Sequence, residues 1–192
     1  SLTFPIIAAS DDGSEETSPG ECNRFGIFPI MIAANFHFIH RCRFIGLRFA
    51  GITIPQGTAI TSAFIDLRRH GNSSGGISTT IVGQAVDDAA PMSGFASFSN
   101  DISSRVPTSA AVDWSPPNFS GGNIFSSADI KTIVQEIVDR PGWASGQAMF
   151  FRFQDGAGSA LNNARRGASG LRFRKFKAFE ESAGGSRGAK LR

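Results

Sequence analysis

The stretch from Ser126 to Trp143 constrains the fold more than any other part of the chain. Ile130, Ile133, Val134, Ile137 and Val138 recur at i, i+3, i+4, i+7 and i+8, a single apolar stripe at helical period. Ser126 followed three residues later by Asp129 reads as an N-cap with an acid on the positive end of the helix dipole. Arg140 falls in the last turn, and Pro141-Gly142 stops the helix. The pattern predicts one helix over 127–140. Burying each aliphatic side chain of the stripe contributes about 1.5–3 kcal/mol, so the helix belongs to the core and is no appendage. Elsewhere the chain offers short apolar alternations and Gly/Ser loops. A lone helix among such segments must lie against a β core.

Length and charge narrow this further. A chain of 192 residues with 22 Gly is long enough for one sizeable core and rich in turns, so a single domain over 1–192 is expected. The net charge of +3 is a small basic excess, and only the C-terminal segment concentrates it, which argues against a nucleic-acid-binding protein. No run approaches the length of a membrane span. Residues 1–8 lack the basic start and long apolar stretch of a signal peptide. Cys22 and Cys42 are too few for a disulfide scaffold; two free thiols is the preferred reading, with a pair formed in an oxidising compartment as the alternative.

The strands are read from alternation. Residues 3–8 form a first strand; along 43–50, Ile45, Leu47 and Phe49 point one way and Arg48 the other. Pro55-Gln56-Gly57 turns the chain into a strand that buries Ala63, Ile65 and Leu67. Further strands are expected over 77–86, 110–114 and 147–154, the last with Met149, Phe151 and Phe153 on one face. Over 171–179 the alternation slips between Phe173 and Phe176, as a bulge would allow. Residues 91–108 form a long irregular link, and 189–192 begin a closing strand.

Five features carry chemistry on paper. Asp11, Asp12, Glu15 and Glu16 sit in an acidic loop that offers oxygen ligands to a structural Ca²⁺, although the spacing is not that of an EF-hand and a solvated turn is the preferred reading. Trp114 and Trp143 are the candidate carbohydrate-binding plates; the alternative is that both fill the core beside the helix. Cys22, His37, His40 and Cys42 superficially offer a zinc set, but on a strand His37 and His40 face opposite sides, so they read as ordinary strand residues. Gly71-Asn72-Ser73-Ser74-Gly75 matches a nucleophile elbow only formally, because a strand follows it where a helix is required. The basic run Arg172, Arg174, Lys175 and Lys177 reads as a solvated outer face or as a contact to phosphates or acidic polymers.

The order of parts also resembles a known module. Phe44–Phe49, Ile52-Thr53-Ile54-Pro55-Gln56-Gly57, Ile60–Ile65, Ser109–Pro116 and above all Ile133–Trp143 are similar to a β-sandwich found in bacteriophage virion proteins and secreted bacterial multidomain proteins. That module looks like the jelly-roll carbohydrate-binding modules. The resemblance runs over nearly the whole chain, with departures around 22–42 and at the final strand. It implies an all-β, antiparallel sandwich of jelly-roll type with one packed helix, and a non-enzymatic binding or structural role.

The expectation that follows is a structural protein of a phage virion surface: capsid decoration, head fibre or tail component. It would assemble with itself as a homo-oligomer or with other virion proteins, and adhere to host-surface glycans. The alternative is a carbohydrate-binding module of a secreted, extracellular bacterial protein. An enzyme is not expected, since no nucleophile–base pair or paired carboxylates can be named from spacing.

Overall fold

The computed structural model describes residues 1–16, 24–25, 30–33, 42–69, 78–93, 101–118, 124–155, 173–177 and 188–192. Among them are two large antiparallel sheets and one α-helix, an all-β sandwich of the kind expected. In chain order the strands are β1 (Phe4–Pro5), β2 (Asp12–Glu16), β3 (Arg24–Phe25), β4 (Ile30–Ala33), β5 (Cys42–Phe49) and β6 (Ile65–Arg68). They continue with β7 (Thr79–Gln84), β8 (Pro107–Trp114), β9 (Ile124–Ser126), β10 (Met149–Asp155), β11 (Phe173–Phe176) and β12 (Lys190–Leu191). The single helix, α1, is Lys131–Val138.

The four-stranded sheet has the order β1-β12-β6-β9, and the six-stranded sheet β3-β2-β5-β10-β7-β8. The chain crosses between them from β1 to β2, from β5 to β6, from β6 to β7, from β8 to β9 and from β9 to β10. A small pair, β4 with β11, joins the first sheet where Arg69 bridges Phe176. Alternation explains the layering. Ile45, Leu47 and Phe49 of β5, Phe151 and Phe153 of β10, and Ile81 of β7 meet Ile65 and Leu67 of β6 and Leu191 of β12 in one apolar core. The closing strand is the seam of the smaller sheet, because β12 pairs with β1 on one side and β6 on the other.

All five residues of the helical stripe are buried in that core. The helix itself is shorter than 127–140, for a specific reason at each end. Ser127 N–H donates to Ile65 O and Ile130 N–H to Ala63 O, so the backbone of 127–130 is tied to 63–65 before the helix begins. Ser126 is consequently no cap; it lies in β9, where its hydroxyl donates to Asp66 Oδ1. Asp129 takes the capping role instead, accepting from Lys131 N–H at 3.0 Å and from Ala63 N–H at 2.9 Å. At the other end Arg140 N–H bonds to Ile137 O, a tightened last turn outside the helix proper.

The helix lies on β7 and β8, and Gly83 is what lets it approach. A Cβ built there would stand 2.7 Å from Ile133 Cγ2 and 2.9 Å from Ile137 Cδ1. The β7–β8 register shifts at this point, and Thr108 Oγ1 fills the gap by accepting from Gly83 N–H at 2.9 Å. Along β11, by contrast, pairing with β4 runs unbroken from Phe173 to Phe176, so the bulge expected there is absent.

Candidate functional site

The helix is fastened by its polar face as well as its apolar one. Glu136 uses both carboxylate oxygens on the edge strand β8, accepting from Ser109 N–H at 2.8 Å and Ala110 N–H at 2.7 Å. Those are backbone donors that an edge strand otherwise offers to another chain. Gln135 accepts from Ile60 N–H and donates to Thr58 O, while Gly57 N–H donates to Val138 O. The Pro55-Gln56-Gly57 turn is thereby docked on the end of the helix.

Trp114 and Trp143 sit on either side of this assembly, and neither presents a ring to solvent: they are 7% and 3% exposed. Trp114 packs edge-on against Phe153, and the Trp143 indole N–H donates to Ile54 O at 2.9 Å. Their large rings fill the core beside the helix, and no sugar-stacking plate is available at either position.

The acidic segment is likewise not the loop expected. A short 3₁₀ turn, Ala9–Asp11, leads directly into β2, so Asp12, Glu15 and Glu16 are strand residues. Asp11 is 1% exposed; its Oδ1 accepts from Arg48 Nη1 at 2.7 Å, and its Oδ2 has no hydrogen-bond partner. Glu15 points elsewhere, its Oε2 accepting from Ile102 N–H at 2.6 Å and Ser103 N–H at 2.9 Å. Among the described residues no three His, Cys, Asp or Glu side chains come together as a metal site. The Arg48 guanidinium already holds one oxygen of Asp11, a place a cation would have to share, and the side chain of Glu16 lies outside the described residues.

What the outer face of the six-stranded sheet carries instead is a buried polar cluster beneath a strap of chain. Phe44, Gly46, Arg48, Phe150 and Arg152 alternate with the core residues of β5 and β10 and so face away from the core. Residues 87–93 and 101–106 cover them, burying Ala89, Met92 and Ile102 against Phe150 in a second apolar cluster. Gly46 makes room for the Phe150 ring, since a Cβ there would stand 2.5 Å from its Cζ.

Three arginines hold the strap. Arg48 Nε donates to Ala89 O at 2.7 Å. Arg105 lies over the Phe150 ring at 4.2 Å and donates to Gln84 Oε1, Ala90 O and Asp101 O. Arg152, only 9% exposed, directs Nη1 at the carbonyls of Ile102, Ser103 and Arg105 at 3.0–3.3 Å. Glu15 thus takes the N–H groups of the 102–103 segment while Arg152 takes carbonyls of 102–105. Burial lowers the pKa of Arg152 from the usual arginine value, and the charge of Glu15 acts in the opposite direction. The cluster is a structural clasp, with every described acid and base engaged with backbone or with a counter-charge.

Neither Arg152 nor Glu15 was singled out from the sequence as half of such a clasp. The available signal was the run Met149-Phe150-Phe151, which alternation alone does not explain and which indicates a strand buried on both faces. Cys22, His37, His40, the 70–76 loop and Arg172 lie outside the described residues, as do the side chains of Glu16, Cys42, Arg174 and Lys175. Comparison with family models and with curated proteins gives no match to this chain.

Proposed function

We propose that this protein is a non-enzymatic structural module displayed on a phage virion surface, as capsid decoration, head fibre or tail component. The observation that carries the reading is the use made of its acids. Glu15, Glu136, Asp88, Asp101 and Asp129 each accept from backbone N–H groups of distant or neighbouring segments. Side chains that a hydrolase would point at a substrate here pin loops to a sheet, which suits a rigid building block. Capping of β8 by Glu136 fits the same purpose, since a displayed module must avoid pairing at the wrong edge. The carbohydrate-module alternative leaned on two tryptophan plates, and both rings are buried.

The test is immunogold electron microscopy of particles purified from the source culture, using antibodies raised to the folded chain. Regular labelling of a head or tail is the expected result. Recovery of the protein solely as a free secreted monomer, with unlabelled particles, would overturn the reading.

A further inference from the structure

The charges on the outer face of the four-stranded sheet, unlike Arg48 and Arg152 on its neighbour, are not engaged by the strap of 87–93 and 101–106. Leu67, Phe176 and Leu191 point into the core, so the residues beside them, Arg68, Lys177 and Lys190, point the other way. Register assembles these on one surface. Lys190 lies opposite Asp66, and Lys177 N–H donates to Arg68 O at 2.8 Å, which sets Lys177 beside Arg68. Arg192, paired through both backbone bonds with Phe64, completes the row, its guanidinium 5.1 Å above the Phe64 ring.

Among the described residues, four cations therefore share a face on which Asp66 is the one carboxylate. Asp66 is already engaged by Arg192 Nε at 3.2 Å and by the Ser126 hydroxyl at 2.6 Å. Among the described residues, neither Arg68 nor Lys190 makes an ion pair with it or with another carboxylate. Opposite and diagonal neighbours on a sheet are about 5 and 7–8 Å apart, so the positive groups form an array and not a single pocket.

The geometry points to this face as the docking surface for an acidic polysaccharide, a polymer bearing repeated carboxylate or sulfate groups. The inference rests on the reading of the protein as a displayed surface module and adds a ligand class for one of its faces. A flat array of separated cations suits a flexible polyanion that lays successive groups across it. Duplex nucleic acid suits it less. Four strands at about 4.8 Å spacing make a surface too wide to enter the roughly 12 Å major groove, so base readout is closed to it and only phosphate contacts would remain. The exposed side of the Phe64 ring, moreover, is occupied by Arg192 and leaves no stacking platform for bases.

The experiment is titration of the intact, isolated chain with heparin, polygalacturonate and duplex DNA at two salt concentrations. Binding of one or both polysaccharides is expected, weakening as salt rises. Arg68→Ser combined with Lys190→Ser should lower that affinity about tenfold and reduce the salt slope by roughly two. Asp66→Asn should do the opposite and tighten binding at least about twofold, an outcome that a folding defect cannot imitate. Lys131→Ser, on the exposed side of the helix, serves as a control that leaves affinity unchanged. No binding by the wild-type chain, equal binding by the double variant, or tighter binding to DNA than to either polysaccharide would each overturn the assignment. Because the titration uses purified protein, its failure is separate from a failure to find the chain on particles.

Discussion

The clasp over the six-stranded sheet makes a quantitative prediction through a double-mutant cycle on Glu15 and Arg152. Glu15→Gln keeps the shape and an acceptor oxygen but removes the charge. Two hydrogen bonds, to Ile102 N–H and Ser103 N–H, fall from charge-assisted to neutral strength, at about 1 kcal/mol each. Arg152 meanwhile loses the nearby charge that offsets its burial, which raises the expected cost to about 2–4 kcal/mol. Arg152→Met keeps the stem and removes every bond to the carbonyls of Ile102, Ser103 and Arg105, again at about 2–4 kcal/mol. Both residues grip the same short segment, so the double variant should lose that segment's docking only once. Its destabilisation is expected to fall short of the sum by about 1–3 kcal/mol. Guanidinium unfolding followed by tryptophan fluorescence measures this, because Trp114 and Trp143 are both buried in the core and report its loss. Additivity within about 0.5 kcal/mol would refute the argument, since it would mean that the two side chains act on independent elements.

Three further outcomes follow from the packing. Ile133→Asp or Ile137→Asp places an unpaired carboxylate at a site no more than 1% exposed and is expected to leave the protein insoluble; a soluble variant with a cooperative melt would overturn the placement of the helix. Gly83→Ala forces Ile133 and Ile137 off the sheet and should cost about 1–3 kcal/mol net, read as a lowered melting temperature; unchanged or raised stability would contradict the close approach. Glu136→Ala uncovers two N–H groups of β8, so a loss of about 1–2 kcal/mol together with concentration-dependent association in gel filtration is expected. A monomer of wild-type stability would show that the carboxylate is not guarding that edge.

The parts of the fold legible in the sequence were those in which one periodicity answers to one buried face. Ile130 to Val138 give a helix stripe because a single side of α1 meets the core, and Ile45, Leu47 and Phe49 give a strand for the same reason. Helix ends were less legible. The Ser126–Asp129 spacing fits a capping pattern, yet hydrogen bonds from Ser127 and Ile130 to Ile65 and Ala63 satisfy those backbone groups first, and the helix starts at Lys131. Local chemistry there had two consistent solutions, and long-range hydrogen bonding selected between them. The two tryptophans show the same limit. An indole suits a sugar face and a core gap equally well, and only the position of Trp143 N–H against Ile54 O settles which role it takes.

The clasp was illegible for a different reason. Glu15 and Ile102 are 87 residues apart, as are few pairs that local patterning can join. Taken singly, Glu15 reads as one acid of a polar turn and Arg152 as an outward strand residue. Their meaning comes from the strap, which converts the outer face of the sheet into an interior and so turns two surface charges into buried ones. The same step accounts for the contrast between the two sheets. Where the strap lies, arginines are matched with carbonyls and carboxylates and have nothing left to offer a partner. On the four-stranded sheet, where among the described residues Arg68 and Lys190 form no ion pair, the basic excess remains available. If the strap rather than the sheet sequence decides which face stays open, the acid-binding property should survive every substitution within the clasp that leaves the chain folded. It should vanish with changes confined to β6 and β12, and that division can be measured on the same set of variants.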